Sequence, residues 1–168
     1  RDKSLAIFSA TDIIRFLYKK MVQREISRAK LPDAHDQQSG LVDFFDGDLS
    51  LLPPSSTMSV ESSATIGEIV ESMIKSAVDS VVVGNSIRKT VQGIFTERDI
   101  LRKVILDRDK YASMPVEAVM SRNPITLQST TSILYAFQTM VEGNFRHIPI
   151  VDFDEKLMGM LSIERFIG

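Results

Sequence analysis

Ile66, Ile69, Val70, Met73 and Ile74 recur at i, i+3, i+4, i+7 and i+8, the spacing of an amphipathic helix. Ile133, Phe137, Met140 and Val141 show the same kind of stripe further along. Each stripe is followed by two short β-branched or apolar runs with polar turn material between them. These are "SVVVG" and "VQGIF" in the first case, "HIPIVD" and "LMGML" in the second. A second helical stretch opens after each pair, and in the first copy its spacing puts Ile100, Leu101, Val104 and Ile105 on one face. "MSVESSAT" from Met58 and "ITLQSTTS" from Ile125 lead into the two copies. The order β-α-β-β-α is thus written twice, and an offset of 66 residues, from Gly93 to Gly159, brings the copies into register. The expected fold class is mixed α/β (α+β), with units at residues 56–112 and 113–168, the last helix cut short. Neither unit alone is long enough for a comfortable core, so the two are expected to pack as a pseudo-twofold pair.

Residues 1–30 hold only the back half of the pattern. "LAIFS" reads as a strand, and the stretch after it as a long helix with Ile14, Leu17, Tyr18 and Met21 on one face. Arg15, Lys19, Lys20, Arg24 and Arg28 lie elsewhere on that helix and read as a solvated face. Residues 31–55 break the periodicity with Pro, Gly, Asp and Ser and read as a linker, with "LVDFF" expected to dock onto a neighbour. "DFFDGD" lacks the spacing and distal glutamate of an EF-hand and reads as an acidic loop. A start at Arg1 and an end in the first turn of a helix are expected of a piece of a longer polypeptide.

A net charge of −2 supplies no basic field for nucleic acid or acidic lipid. The chain has no cysteine, hence no disulfide framework and no thiolate metal site, and it fits a reducing, cytoplasmic setting. No apolar run approaches the ~18 residues of a spanning helix, so direct membrane insertion is not expected. Its only histidines are His35 and His147, and no Walker loop or nucleophile triad stands apart from the repeat. No catalytic residue and no metal ligand is therefore assigned, and these residues are not expected to form an enzyme.

The chemistry sits in the phrase "GIFTERDI". Thr96 to Asp99 satisfies a capping box, in which Thr96 caps a helix and Asp99 returns a hydrogen bond. The same geometry suits a ligand: a helix start favours anions, and a carboxylate there can accept both hydroxyls of a vicinal diol such as ribose. The two roles are compatible. Near the N-terminus "SATD" (Ser9 to Asp12) repeats the phrase, whereas Ser162 to Arg165 carries arginine in place of the acid.

Taken together, "PVEAVMSRNPITLQST", "FRHIPIVD", "LMGML" and "GIFTERDI" resemble the CBS domain, and residues 56–168 resemble a CBS pair, or Bateman module. Residues 1–30 resemble the tail of a further unit. The resemblance implies a regulatory, non-catalytic module that needs no cofactor. Its regulatory ligand would be adenosyl-containing: AMP, ADP, ATP or S-adenosylmethionine. It implies ribose contacts from Thr96 and Asp99, after Gly93, and base contacts from Ser59 in the first unit and Thr126 in the second. The backbone near Val81 and Val83 would reach adenine, while Arg146 and His147 would reach phosphate. Arg165 cannot accept diol hydrogen bonds, so the second copy is expected to be a degenerate site; the alternative is that Arg165 holds phosphate or a neighbouring chain. A homodimer through CBS pairs and an unknown output protein or domain follow from the same resemblance. The alternative is an interaction module that dimerises without binding ligand.

Overall fold

The structure, a computed structural model, describes residues 47–167 apart from Leu106. The partial N-terminal copy and "LVDFF" lie outside the described residues. Within them the chain forms two compact units, one of residues 54–129 and 147–161, the other of residues 47–53, 130–146 and 162–167.

In the first unit, β1 (Met58–Val60) leads into α1 (Ile66–Ser76), which returns to β2 (Ser80–Val83). Helix α1 starts where it does because Thr65 and Glu68 form the reciprocal capping box, with Thr65 Oγ1 donating to Glu68 Oε2 at 2.8 Å. The hydroxyl and the backbone N–H of Thr65 hold the Glu68 carboxyl below its ordinary value. The helix ends at Ala77, which takes the left-handed conformation at φ 51°. Its stripe of Ile66, Ile69 and Met73 is buried as expected, but Ile74 is 75% exposed.

β2 pairs in parallel with β1 and antiparallel with β3 (Gly93–Thr96), and β4 (Ser121–Arg122) completes a sheet of order β1-β2-β3-β4. The register aligns Val81 with Met58 and Phe95, and Val83 with Val60 and Gly93. Those side chains share one face, where Val81, Val83 and Phe95 pack with Ile66, Ile69 and Met73 in one buried cluster. Ser59, Val82 and Ile94 lie on the opposite face, where Val82 and Ile94 join Met160 in a second apolar cluster. Both faces of β2 are thus covered, which explains its unbroken apolar run. A second sheet contains β5 (Leu127–Gln128), β6 (His147–Val151) and β7 (Leu157–Ser162) in the order β5-β6-β7.

Two glycines at matching places in the repeat are required by close approach. A Cβ on Gly93 would lie 3.0 Å from Ser121 O and 2.4 Å from Met120 Sδ, and one on Gly159 would lie 2.6 Å from Ser55 O. In each copy a neighbouring backbone segment crosses the strand at this point (Ser55 bridges Met160 and Arg122 pairs with Gly93). At the end of β2 the constraint is harsher, because a Cβ on Gly84 would sit 1.9 Å from Thr90 O. Gly84→Ala is expected to cost about 1–3 kcal/mol through the backbone shift it forces, read as a lower urea midpoint with an unchanged slope. An unchanged midpoint would show that the turn yields freely.

After β3 the chain enters α2 (Glu97–Asp99), which continues as a π-helical turn over Ile100–Val104, closed by Ile105 N–H to Ile100 O at 2.9 Å. This turn departs from the expected face. Val104 is buried and Ile100 half-buried, but Leu101 and Ile105 are both 62% exposed. A spacing of 3.6 residues no longer applies where the backbone closes i→i+5. A short α3 (Arg108–Ala112) follows.

In the second unit, α4 (Ile133–Gly143) is capped by Ser132, whose Oγ accepts from Tyr135 N–H at 3.2 Å, and ends at left-handed Asn144. It buries Ile133, Ala136, Phe137 and Met140. α5 (Glu164–Ile167) sets Phe166 edge-on to Phe137, with ring centroids 5.3 Å apart. The 3₁₀ turn Leu49–Leu51 buries Leu49 here, its N–H donating to Thr131 O at 2.9 Å. The tail of the expected linker is therefore part of this unit. No helix among the described residues is long and apolar enough to cross a membrane.

Candidate functional site

The junction of β3 and α2 gathers the polar groups of the larger unit. Asp99 is buried, at 8% exposure, and its carboxylate accepts three hydrogen bonds. Oδ2 accepts from the N–H and from Oγ1 of Thr96, each at 3.1 Å, and Oδ1 accepts from Lys103 Nζ at 3.0 Å. An ionised carboxylate offers about four acceptor positions, so these donors nearly saturate it. The same Lys103 ammonium also donates to Val119 O, in the segment that follows the 3₁₀ turn Val116–Ala118. Asp99 is one turn from Lys103, the spacing at which a helix brings opposite charges together.

A second aspartate braces the junction from the other side. Asp79 lies in the tight turn after α1, and its main-chain oxygen accepts the Glu97 N–H at 3.0 Å. That bond satisfies one of the free donors at the start of α2. The Asp79 carboxylate holds Ser80 Oγ at 3.2 Å and His147 Nε2 at 3.0 Å, and the His147 side chain is 9% exposed. The imidazole proton for this contact is on Nε2.

Thr96 and Asp99 are thus in direct contact, and His147 joins them through Asp79. Ser59, in the middle of β1, shares a sheet face with Val82 and Ile94, and by alternation with Ser80 and Thr96. Its Oγ is fully buried and has no hydrogen-bond partner. A buried hydroxyl without a partner is uncommon and calls for an explanation. Val81 and Val83 direct their side chains to the opposite face, into the core with α1. Their strand is paired on both edges, which engages its backbone in the sheet. Thr126 is exposed just before β5.

Arg146 and Arg165 belong to the other unit. Arg146 pairs with Glu164 at 3.2 Å, both side chains being more than half exposed, and its carbonyl accepts Ile163 N–H at 2.8 Å. Arg165 Nη2 donates to Pro53 O at 3.2 Å. The arginine that stands where the first copy has Asp99 is thus spent on main chain of its own polypeptide. Sequence reasoning missed Lys103 and Asp79. The i, i+4 spacing of Asp99 and Lys103 was a readable signal, whereas the partners of Asp79 and Glu164 depend on tertiary folding.

The family model described as "CBS domain" matches residues 52–106 and again 116–168. CBS domain-containing protein CBSCBSPB5 of Arabidopsis thaliana is 35% identical over 108 residues, which cover 64% of this chain and 19% of that protein. The chain thus spans about a fifth of that relative's length. Among solved structures, an uncharacterized conserved protein from Pyrococcus horikoshii superposes with a TM-score of 0.65 at 28% identity, over 73% of this chain and 91% of that one. A CBS domain protein from Pyrobaculum aerophilum, complexed with AMP, gives a TM-score of 0.63 at 28% identity, over 70% and 88%. The twice-written β-α-β-β-α order and the two family matches lead to one conclusion: the chain belongs to the CBS domain family and carries the tandem pair of a Bateman module.

Proposed function

We propose that this pair is a regulatory module that binds an adenine nucleotide at the β3–α2 junction and passes the change in packing to an attached or partner protein. The observation that carries this reading is a buried carboxylate, Asp99, fixed beside Thr96 on a sheet that also holds an unpartnered hydroxyl, Ser59 Oγ. In this reading Thr96 and Asp99 receive the ribose hydroxyls and Ser59 Oγ finds its partner on the base. The AMP complex of the Pyrobaculum aerophilum protein supports the choice of ligand class. His147 contributes by holding Asp79, whose carbonyl steadies the start of α2. Arg146, paired with Glu164 in the other unit, is not assigned to this junction. Arg165, committed to Pro53 O, serves structure, so the second copy is a non-binding half.

A thermal-shift screen with AMP, ADP, ATP, S-adenosylmethionine and NAD tests the reading. A ligand at ~100 times its dissociation constant stabilises the folded state by about 2.7 kcal/mol. For a chain of this size the melting temperature should rise by several degrees. Flat melting curves with all five compounds would leave the module as an interaction surface without a ligand.

A further inference from the structure

We infer that Lys103 is an internal competitor for the ligand site, which a diol must displace from Asp99 in order to bind. The inference rests on the reading of Asp99 as the ribose acceptor. With Thr96 N–H and Oγ1 on Oδ2 and the Lys103 ammonium on Oδ1, the carboxylate has room for about one more donor. A vicinal diol brings two. The Thr96 N–H is main chain and cannot leave without unwinding the start of α2. Lys103 can leave, because its side chain is 42% exposed, whereas that of Asp99 is 11% exposed. Its long stem allows the ammonium to swing into water at small cost.

The displacement has a second consequence. The same ammonium donates to Val119 O, so Lys103 bridges the ligand site to the start of the second copy of the repeat, which packs in the same unit. Releasing it from Asp99 changes what holds that segment. Occupancy at one end of the contact is thereby coupled to the mobility of the other, with Lys103 as the shared element. Lys103 lies in the π-helical turn Ile100–Val104, and such turns are frequent at functional sites.

The test uses adenosine, a neutral diol, so that phosphate contacts do not enter. Calorimetric titrations compare the wild-type chain with Lys103→Met and Lys103→Arg, each at low and high NaCl. Lys103→Met should bind adenosine about two- to fivefold more tightly, the range expected when a partly exposed ion pair no longer has to be broken. Salt screens the Lys103–Asp99 pair, so adenosine affinity of the wild type should rise with NaCl while that of Lys103→Met stays flat. Lys103→Arg keeps a competing cation and should follow the wild type. Equal or weaker adenosine binding by Lys103→Met, beside a wild type that binds, overturns the competition and leaves the nucleotide reading standing. If neither the wild type nor Lys103→Met binds adenosine or AMP, the nucleotide reading itself fails and this inference goes with it. Binding by Lys103→Met alone would show the competitor at its strongest.

Discussion

Asp99→Ala is expected to abolish the melting-temperature increase produced by any adenosyl ligand, while the protein remains folded. The carboxylate is the one buried anion at the β3–α2 junction among the described residues, and alanine offers neither acceptor to a diol. The substitution also removes the partner of Lys103 and the returned half of the helix cap on Thr96. Loss of a capping interaction costs about 0.5–2 kcal/mol, so the unliganded variant should melt a few degrees lower. Asp99→Asn separates the two effects: its amide oxygen can still accept from Thr96, but one acceptor becomes a donor and the charge is gone. The asparagine variant should therefore melt close to wild type and still fail to bind. Arg165→Ala is the control, because Arg165 serves Pro53 O in the other unit, and it should retain the full ligand response. An undiminished response in Asp99→Ala would place the ligand elsewhere.

What the sequence made legible follows the range of the interactions. Helices α1 and α4 could be read from apolar spacing because burial of one stripe decides them, and Ile66, Ile69, Met73, Ile133, Phe137 and Met140 are all buried. Strands β2 and β6 could be read from β-branched runs, since both are covered on two faces. The face of α2 was misread: a π-helical turn shifts the side chains past Ile100, and no spacing rule based on 3.6 residues reports it. Thr96 and Asp99 were legible as a pair because a cap is local, and the same is true of Thr65 and Glu68. The partner of Glu164, Arg146, became visible only with the fold. Lys103 is the instructive omission. It stands one turn from Asp99, a spacing readable in the sequence, but its second contact, with Val119 O, depends on the tertiary fold.

The largest stability effect is expected from Phe95→Ala. Phe95 is on β3, one residue before Thr96, and is fully buried on the face opposite the site. It pairs with Val81 across the sheet and belongs to the cluster formed by Ile66, Ile69 and Met73 of α1. Deleting a buried phenyl ring removes its transfer free energy and leaves a cavity, together worth about 3–5 kcal/mol. Against a total stability of about 5–15 kcal/mol, that loss takes the chain close to unfolding at physiological temperature. Chemical denaturation should show a much lower midpoint, whereas Phe153→Ala, at 79% exposure, should change stability by no more than about 0.5 kcal/mol. Phe95→Leu fills part of the space and should recover much of the loss, which a variant damaged through unfavourable strand propensity would not do. It should also keep adenosyl binding, because successive residues of a strand face opposite sides and the ring does not touch the face that holds Ser59 and Thr96. A Phe95→Leu protein that is stable but no longer binds would mean that the core position sets the geometry of α2, and the separation of the two sheet faces into core and site would have to be abandoned.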